Sequence, residues 1–346
     1  MTQILDRLSL SAPVTATWEV TQACNLDCRH CLSDFSRADA RDLSTEEALG
    51  VVDRLAEIGV FQLNIGGGEP LTRTDIWTLF EKAIRRDLLV CVSTNGTLVC
   101  ERTADRLAAL GEVAVQVSLD GVSAKTNDDL RGRGTHAAAV RAAQLLASAG
   151  VRTAFNVVVT RQNLQELDGL LGLAQEVGVD LRLSRLRPAG RGALVYREMQ
   201  LDDSGFDVLK SWLLAHPGVR TGDSFFFLFE KAEEWASSSP PAHGLDLCGA
   251  GRFTMCIDPV GDVYPCAFLS GDEWRLGNIL RDDFASMWGD SPIARRVREQ
   301  PSRSCLLCGE VGCSRPCPGQ RKGVDRPEMV GGDEVSEGPL LAHLCH

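Results

Sequence analysis

At 346 residues, with 44% apolar side chains, the chain is long enough for about two domains with full cores. A net charge of −11 argues against a nucleic-acid-binding surface. No apolar run is long enough to span a bilayer, and residues 1–11, interrupted by Asp6 and Arg7, lack the apolar core of a secretion signal; a cytoplasmic location without membrane partners is expected. In that reducing compartment the 13 cysteines are expected as thiols and metal ligands, not as a disulfide framework.

In chain order, an apolar, strand-like run at 14–20 leads into a loop carrying Cys24, Cys28 and Cys31. Three thiolates on one short loop can hold three corners of a cubane iron–sulfur cluster and leave the fourth iron open for chemistry. The competing readings are a zinc knuckle or three unrelated buried thiols, although no fourth Cys or His follows until Cys91.

Ser44 and Glu47 form a capping box ahead of a helix at 48–58, which Gly59 stops. Strands are then predicted at 60–65, 88–93, 113–118, 151–159 and 179–184, separated by helices at 74–86, 102–110, 136–148 and 164–177. Six strands alternating with helices call for a parallel sheet, whose working residues lie at the C-terminal ends of the strands. The unusual residues occur at those ends: the cysteine loop, then Gly66, Gly67, Gly68, Glu69 and Pro70, then Asn95, then Ser118 and Asp120, then Arg185 and Arg187. Each alone reads equally as an ordinary turn residue; their recurrence in strand-end order does not. Cys91, inside an apolar strand, and Cys100, at a helix approach, read as structural thiols.

After residue 187 the segment Pro188-Ala-Gly-Arg-Gly192 breaks the alternation, and one more amphipathic helix begins near Asp202. The aromatic run 225–229 reads as buried core or a pocket wall, and 237–241 as a surface loop. A hairpin is predicted around 257–263 with its turn at 259–262, flanked by Cys248 and Cys266. Cys305, Cys308, Cys313 and Cys317 then crowd into thirteen residues, with Cys345 next to the end. This is a strong metal signal whose spacing leaves zinc and iron both open.

The C-x3-C-x2-C loop, with His30 before its last cysteine, resembles the signature of radical S-adenosylmethionine enzymes, and the ordered strand ends resemble their partial (β/α)6 barrel. The implied fold class is α/β, a partial TIM-like barrel followed by a small cysteine-rich domain. The implied divisions are an extension at 1–13, the barrel at 14–187, a connector at 188–247 and the auxiliary domain at 248–346. The resemblance implies that a cluster on Cys24, Cys28 and Cys31 binds S-adenosylmethionine and cleaves it to a 5'-deoxyadenosyl radical that takes a substrate hydrogen. His30 would pack near the adenine, and residues 66–70 would meet the cofactor's ammonium group. Asn95, Ser118 and Asp120 would face the ribose, the methionyl carboxylate or the substrate, and Arg185 or Arg187 the carboxylate, which a guanidinium fork matches. No general acid or base is singled out.

The later cysteines resemble the SPASM domain of peptide- and protein-modifying radical enzymes, with a central gap of four residues where that family has five. It implies two auxiliary clusters, a nearer one on Cys248, Cys266 and Cys317 and a farther one on Cys305, Cys308, Cys313 and Cys345. Cys256 either completes the nearer cluster or sits as a strand thiol, since its direction depends on register. Longer stretches, among them residues 64–70, 185–192, 221–226, 248–252 and 257–262, are similar to the mycofactocin maturases. That group oxidatively decarboxylates a C-terminal tyrosine of a small ribosomally made peptide and joins the residue to the preceding valine. A precursor peptide, a separate small peptide-recognition protein and an electron donor such as flavodoxin or ferredoxin are therefore the expected partners. The short segment before the first strand is expected to be too small for a fused recognition domain. A sulfatase-type activator shares every cluster motif, and a non-catalytic zinc-ribbon protein is the remaining alternative.

Overall fold

A computed structural model describes residues 10–33, 42–221 and 249–299. The six alternating strands are β1 (Thr15–Glu19), β2 (Gln62–Gly66), β3 (Leu89–Thr94), β4 (Val113–Ser118), β5 (Arg152–Val159) and β6 (Asp180–Arg185), all parallel and adjacent in chain order. Between them run α1 (Thr45–Glu57), α2 (Ile76–Arg85), α3 (Glu101–Ala109), α4 (Ala124–Arg131), α5 (Thr135–Ser148) and α6 (Leu167–Val177). Alternation along each strand decides the layers. Ala16 and Trp18, Leu63 and Ile65, Val115 and Val117, Phe155 and Val157, and Leu181 and Leu183 are buried in one continuous core with the apolar faces of the helices.

The other face of the sheet is different. Thr17, Asn64, Gln116, Asn156 and Ser184 are only half-buried although they sit in the middle of the strands. A small closed barrel fills its interior with branched apolar side chains. Here the inner face is polar and lines open space, which is where a ligand can sit.

Beyond β6 come α7 (Gly192–Met199), α8 (Asp203–Ala215) and the short β7 (Arg220–Thr221), which pairs parallel with β6. The C-terminal hairpin of β8 (Thr254–Ile257) and β9 (Asp262–Tyr264) turns at Asp258, whose side chain accepts from the Val260 and Asp262 amides. β8 lies parallel against β1, with Thr17 opposite Cys256. The sheet therefore continues through β9 to β10 (Gly277–Asn278), in the order β10-β9-β8-β1-β2-β3-β4-β5-β6-β7. A last helix, α9 (Pro292–Glu299), follows.

Three helices, α4, α7 and α9, are absent from the sequence reading. α4 carries one large apolar side chain, Leu130, in eight residues, so no hydrophobic period marks it; its start is signalled by Ser123, whose hydroxyl accepts from the Thr126 amide. α7 begins inside the glycine-containing segment that reads as a break. The aromatic run 225–229, the 237–241 loop and Cys248, Cys305, Cys308, Cys313, Cys317 and Cys345 lie outside the described residues. Among the described residues no helix is long and apolar enough to cross a membrane.

At the start of α1 both halves of the capping box form: the Glu47 amide donates to the Ser44 hydroxyl at 3.3 Å and the Ser44 amide to the Glu47 carboxylate at 2.9 Å. Ser44→Ala is expected to lower unfolding free energy by about 1 kcal/mol in urea melts; an unchanged midpoint would show that α1 is held by its packed face alone.

Candidate functional site

The cysteine loop leaves β1 at Val20, whose amide donates to the Gly66 carbonyl at 3.0 Å. Two further backbone bonds join it to the turn after β2: Gly68 N–H to Thr21 O and Glu69 N–H to Ala23 O, each 2.8 Å. The contact is so close that a Cβ on Gly67 would lie 2.6 Å from the Thr21 oxygen, and one on Gly68 2.0 Å from that of Ala23. The glycines at 67 and 68 are therefore required first by the cysteine loop, before any ligand approaches.

The loop is held from two other sides. The Arg29 amide donates to the Leu130 carbonyl at the end of α4 (2.9 Å), and Arg29 pairs with Asp129 at 2.7 Å. From the segment before α7, Arg191 Nε donates to the Cys28 carbonyl at 2.9 Å and the Gly192 amide to that of Cys31 at 3.1 Å. Arg191 and Gly192, together with Arg131 below, are functional positions that the sequence reading passed over.

Cys24, Cys28 and Cys31 open into a cavity of 370 Å³ at the C-terminal ends of the strands. His30, Gly66, Gly67, Gly68, Asn95, Ser118, Arg185 and Arg187 line the same space. Three residues expected there stand behind its wall. Pro70 starts a 3-10 turn. Glu69 is fully buried and accepts from the Thr94 hydroxyl (2.8 Å), the Asn95 amide (2.7 Å) and the Leu71 amide (3.2 Å). Burial pushes its carboxyl up to about 7 against these bonds. It thus ties the glycine turn to the end of β3, and Asn95 passes the tie on, its side-chain amide donating to Asn25 in the cysteine loop at 2.8 Å.

Asp120 is likewise fully buried. Its Oδ2 lies 3.0 Å from His30 Nε2 and pairs with the Arg131 guanidinium, while Oδ1 accepts from the Val158 amide at 2.7 Å. Burial alone would raise this carboxyl, but the Arg131 charge and the His30 hydrogen bond outweigh it and hold the group well below the usual carboxylate range. Asp120 therefore accepts and His30 Nε2 donates. His30 Nδ1 is buried beside the cavity, without a hydrogen-bond partner among the described residues.

A second cavity of 240 Å³ adjoins the first and shares Glu19, Leu32, Ser33 and Ala267 with it. Cys256 and Cys266 both open into it, with Asp258 and Tyr264. The β8 register turns Cys256 to the Glu19 side of the sheet, the point that spacing alone left open. Glu19, in the shared wall, accepts from the Ser33 hydroxyl at 2.6 Å, and burial raises its carboxyl to about 7. Cys91 is buried and accepts from the Gln116 amide at 3.1 Å, and Cys100 is exposed at the start of α3; neither lines the two cavities.

Among the described residues no three Cys, His, Asp or Glu side chains converge on one point as a mononuclear zinc site requires. The three loop thiols instead border a shared space, an arrangement that suits a cluster whose irons each take a separate thiolate. S-adenosylmethionine fits the remaining lining: polar strand ends, exposed glycine backbone, cationic side chains and the unpartnered buried nitrogen His30 Nδ1.

Residues 18–174 match the radical SAM superfamily and residues 248–313 the SPASM iron–sulfur cluster-binding domain. Mycofactocin maturase MftC of Mycobacterium ulcerans is 45% identical over 88% of this chain and 83% of its own length, and that of Mycolicibacterium smegmatis 44% over 88% and 78%. The fold is similar to that of Streptococcus suis SuiB bound to its precursor peptide SuiA, with a TM-score of 0.67 at 20% identity over 84% of this chain and 67% of that one. The chain belongs to the radical S-adenosylmethionine enzymes with a SPASM domain, in the mycofactocin maturase family. S-adenosylmethionine and iron–sulfur clusters are its cofactors.

Two expectations follow from the geometry. Gly68→Ala cannot keep both 2.8 Å bonds to the cysteine loop, so iron bound per reconstituted chain falls and the unfolding free energy in urea falls by roughly 1–3 kcal/mol; normal loading would show the contact to be slack. For Glu19, the folded chain keeps a proton between pH 4.5 and about 7 that the unfolded chain has released, so stability is lost as pH rises through that window. Glu19→Gln is expected to gain on the wild type between about pH 5 and about pH 8 in urea melts of the cluster-free chain. An offset equal at both pH values rejects this.

Proposed function

We propose that this enzyme matures a ribosomally made peptide by oxidatively decarboxylating a C-terminal tyrosine and joining that residue to the preceding valine, as the similarity to mycofactocin maturases suggests. The observation that carries the reading is the pair of thiol-lined cavities sharing one wall. When bound, the first cluster and S-adenosylmethionine supply the radical that removes a substrate hydrogen atom. Loss of that hydrogen and of carbon dioxide leaves one electron to be taken from the peptide. A second redox site beside the reaction chamber is placed to accept it.

In this reading Cys24, Cys28 and Cys31 hold the first [4Fe–4S] cluster. His30, Gly66, Gly67, Gly68, Asn95, Ser118 and Arg185 contact S-adenosylmethionine. Glu69, Pro70 and Asp120 act from behind, fixing the glycine turn and orienting His30. Cys256 joins Cys248, Cys266 and Cys317 in a nearer auxiliary cluster, and Cys305, Cys308, Cys313 and Cys345 hold a farther one. The barrel at 14–187, connector at 188–247 and auxiliary domain at 248–346 are parts of the same proposal, as are a cytoplasmic location, a separate peptide-recognition protein and a flavodoxin- or ferredoxin-type donor.

The test is anaerobic reconstitution with S-adenosylmethionine, a reductant, the recognition protein and a precursor peptide ending in Val-Tyr. Peptide mass and 5'-deoxyadenosine are followed together. The expected result is loss of carbon dioxide and hydrogen from the peptide, coupled to deoxyadenosine formation. Deoxyadenosine with an unchanged peptide, in a preparation of confirmed iron and sulfide content, would overturn the substrate assignment.

A further inference from the structure

The proposed reaction brings an aromatic ring with one polar atom, the phenolic hydroxyl of tyrosine, into the chamber. A hydroxyl taken out of water binds well only where it regains a hydrogen-bond partner. The side-chain amides on the inner face of the sheet are already engaged by their neighbours. Asn64 Oδ1 accepts from Gln62 at 2.7 Å, Asn156 Oδ1 accepts from Ser184 at 2.9 Å, and Gln116 Nε2 donates to Cys91 at 3.1 Å.

Glu19 differs from them in kind and in place. It ends β1, and the alternation that buries Ala16 and Trp18 in the core turns Thr17 and Glu19 toward the chamber. Opposite it on β2 stands Gly66, so no side chain at that position screens the carboxyl; even a Cβ there would lie 3.9 Å from that of Ser93. The Ser33 hydroxyl donates to Glu19 Oε1 at 2.6 Å. A carboxylate offers about four lone-pair positions on its two oxygens, and a protonated carboxyl still accepts, so accepting capacity remains in either state. Of the four described residues that border both cavities, Glu19, Leu32, Ser33 and Ala267, Glu19 is the one carboxyl. A group bonded to it therefore lies against the wall that faces Cys256 and Cys266.

We propose that Glu19 accepts the phenolic hydroxyl of the peptide's C-terminal tyrosine and so selects tyrosine over phenylalanine at that position. This rests on the decarboxylation reading above and adds to it the residue that reads the ring. The bond sets the ring against the wall shared with the second redox site, the side to which the electron leaves. A site built to pair a substrate hydroxyl discriminates against the analogue that lacks it, because its own polar group is then left without the partner. Glu19 is thus a specificity residue whose contribution appears in the difference between two peptides.

The test uses the full-length, cluster-loaded enzyme with its recognition protein and two fluorescent precursor peptides, one ending in Val-Tyr and one in Val-Phe, which differ by the phenolic oxygen alone. Wild-type enzyme is expected to bind the Val-Phe peptide roughly 10- to 100-fold more weakly. Glu19→Met, which keeps the side-chain length without a carboxyl, is expected to bring Val-Tyr binding down to the Val-Phe level and to leave Val-Phe binding little changed. Glu19→Gln, with one oxygen acceptor that Ser33 already engages, keeps only part of the preference. Iron, sulfide and the affinity for S-adenosylmethionine are expected at wild-type values in both variants; should Glu19→Met fail to load its clusters, Glu19→Gln carries the comparison. A wild-type enzyme that decarboxylates the Val-Tyr peptide yet binds both peptides equally overturns the proposal without recourse to a variant. So does a loaded variant that keeps the full tyrosine preference, or one that loses both peptides alike, which would make Glu19 a structural residue. Wild-type enzyme that forms deoxyadenosine but leaves the Val-Tyr peptide intact overturns the decarboxylation reading itself, and the Glu19 assignment with it.

Discussion

Everything in the reaction chamber depends on how closely the backbone of residues 67–69 approaches that of residues 21–23. The two 2.8 Å hydrogen bonds between these turns fix the cysteine loop over the end of β2, and they exist only because neither Gly67 nor Gly68 carries a Cβ. Glu69 then carries the constraint sideways to β3, and Asn95 returns it to Asn25 in the loop. The loop is long, irregular and required to present three thiols at once. It has no regular secondary structure of its own to do so, and these contacts replace it.

Charge in the site follows the neighbours of each buried carboxyl rather than its depth. Asp120, fully buried, is kept ionised by Arg131 and His30, and it places His30 Nε2 as a donor. Glu19, in the wall between the cavities, has the Ser33 hydroxyl for a partner, and burial raises its carboxyl instead. The same functional group, a carboxyl, meets opposite electrostatic conditions a few strands apart. Burial is common to both, and the difference lies in the neighbouring guanidinium.

The C-terminal hairpin is more than an attachment. By pairing with β1 it places Cys256 and Cys266 beside the wall that bounds the first cavity, and it sends Phe268 to Arg187. Strand pairing in an unbroken sheet leaves little freedom for the two cavities to move apart, which suits the proposed passage of an electron between them. The C-terminal half therefore shapes the chamber as well as supplying redox ligands.

Much of this was legible from residue pattern. Short apolar, β-rich runs between helices marked all six barrel strands, and the Ser44–Glu47 pair marked the start of α1. The three-cysteine loop and its companion strand ends were likewise evident, because side-chain period and ligand spacing are local properties. What the sequence could not express are relations between distant segments. The parallel pairing of β8 with β1 joins residues more than two hundred positions apart and leaves no local trace. Arg191 matters because its guanidinium reaches the Cys28 carbonyl, and α4 because its end meets Arg29. At the strand ends, residue type alone did not separate Ser118, which faces the chamber, from Asp120 two positions on, which is buried behind it. The sequence by itself determined which chemical groups stand at the mouth of the barrel. Tertiary structure decided which of them face the chamber and which hold it in shape, because at a turn the side-chain direction follows the packing of neighbouring segments and not a strand's simple alternation.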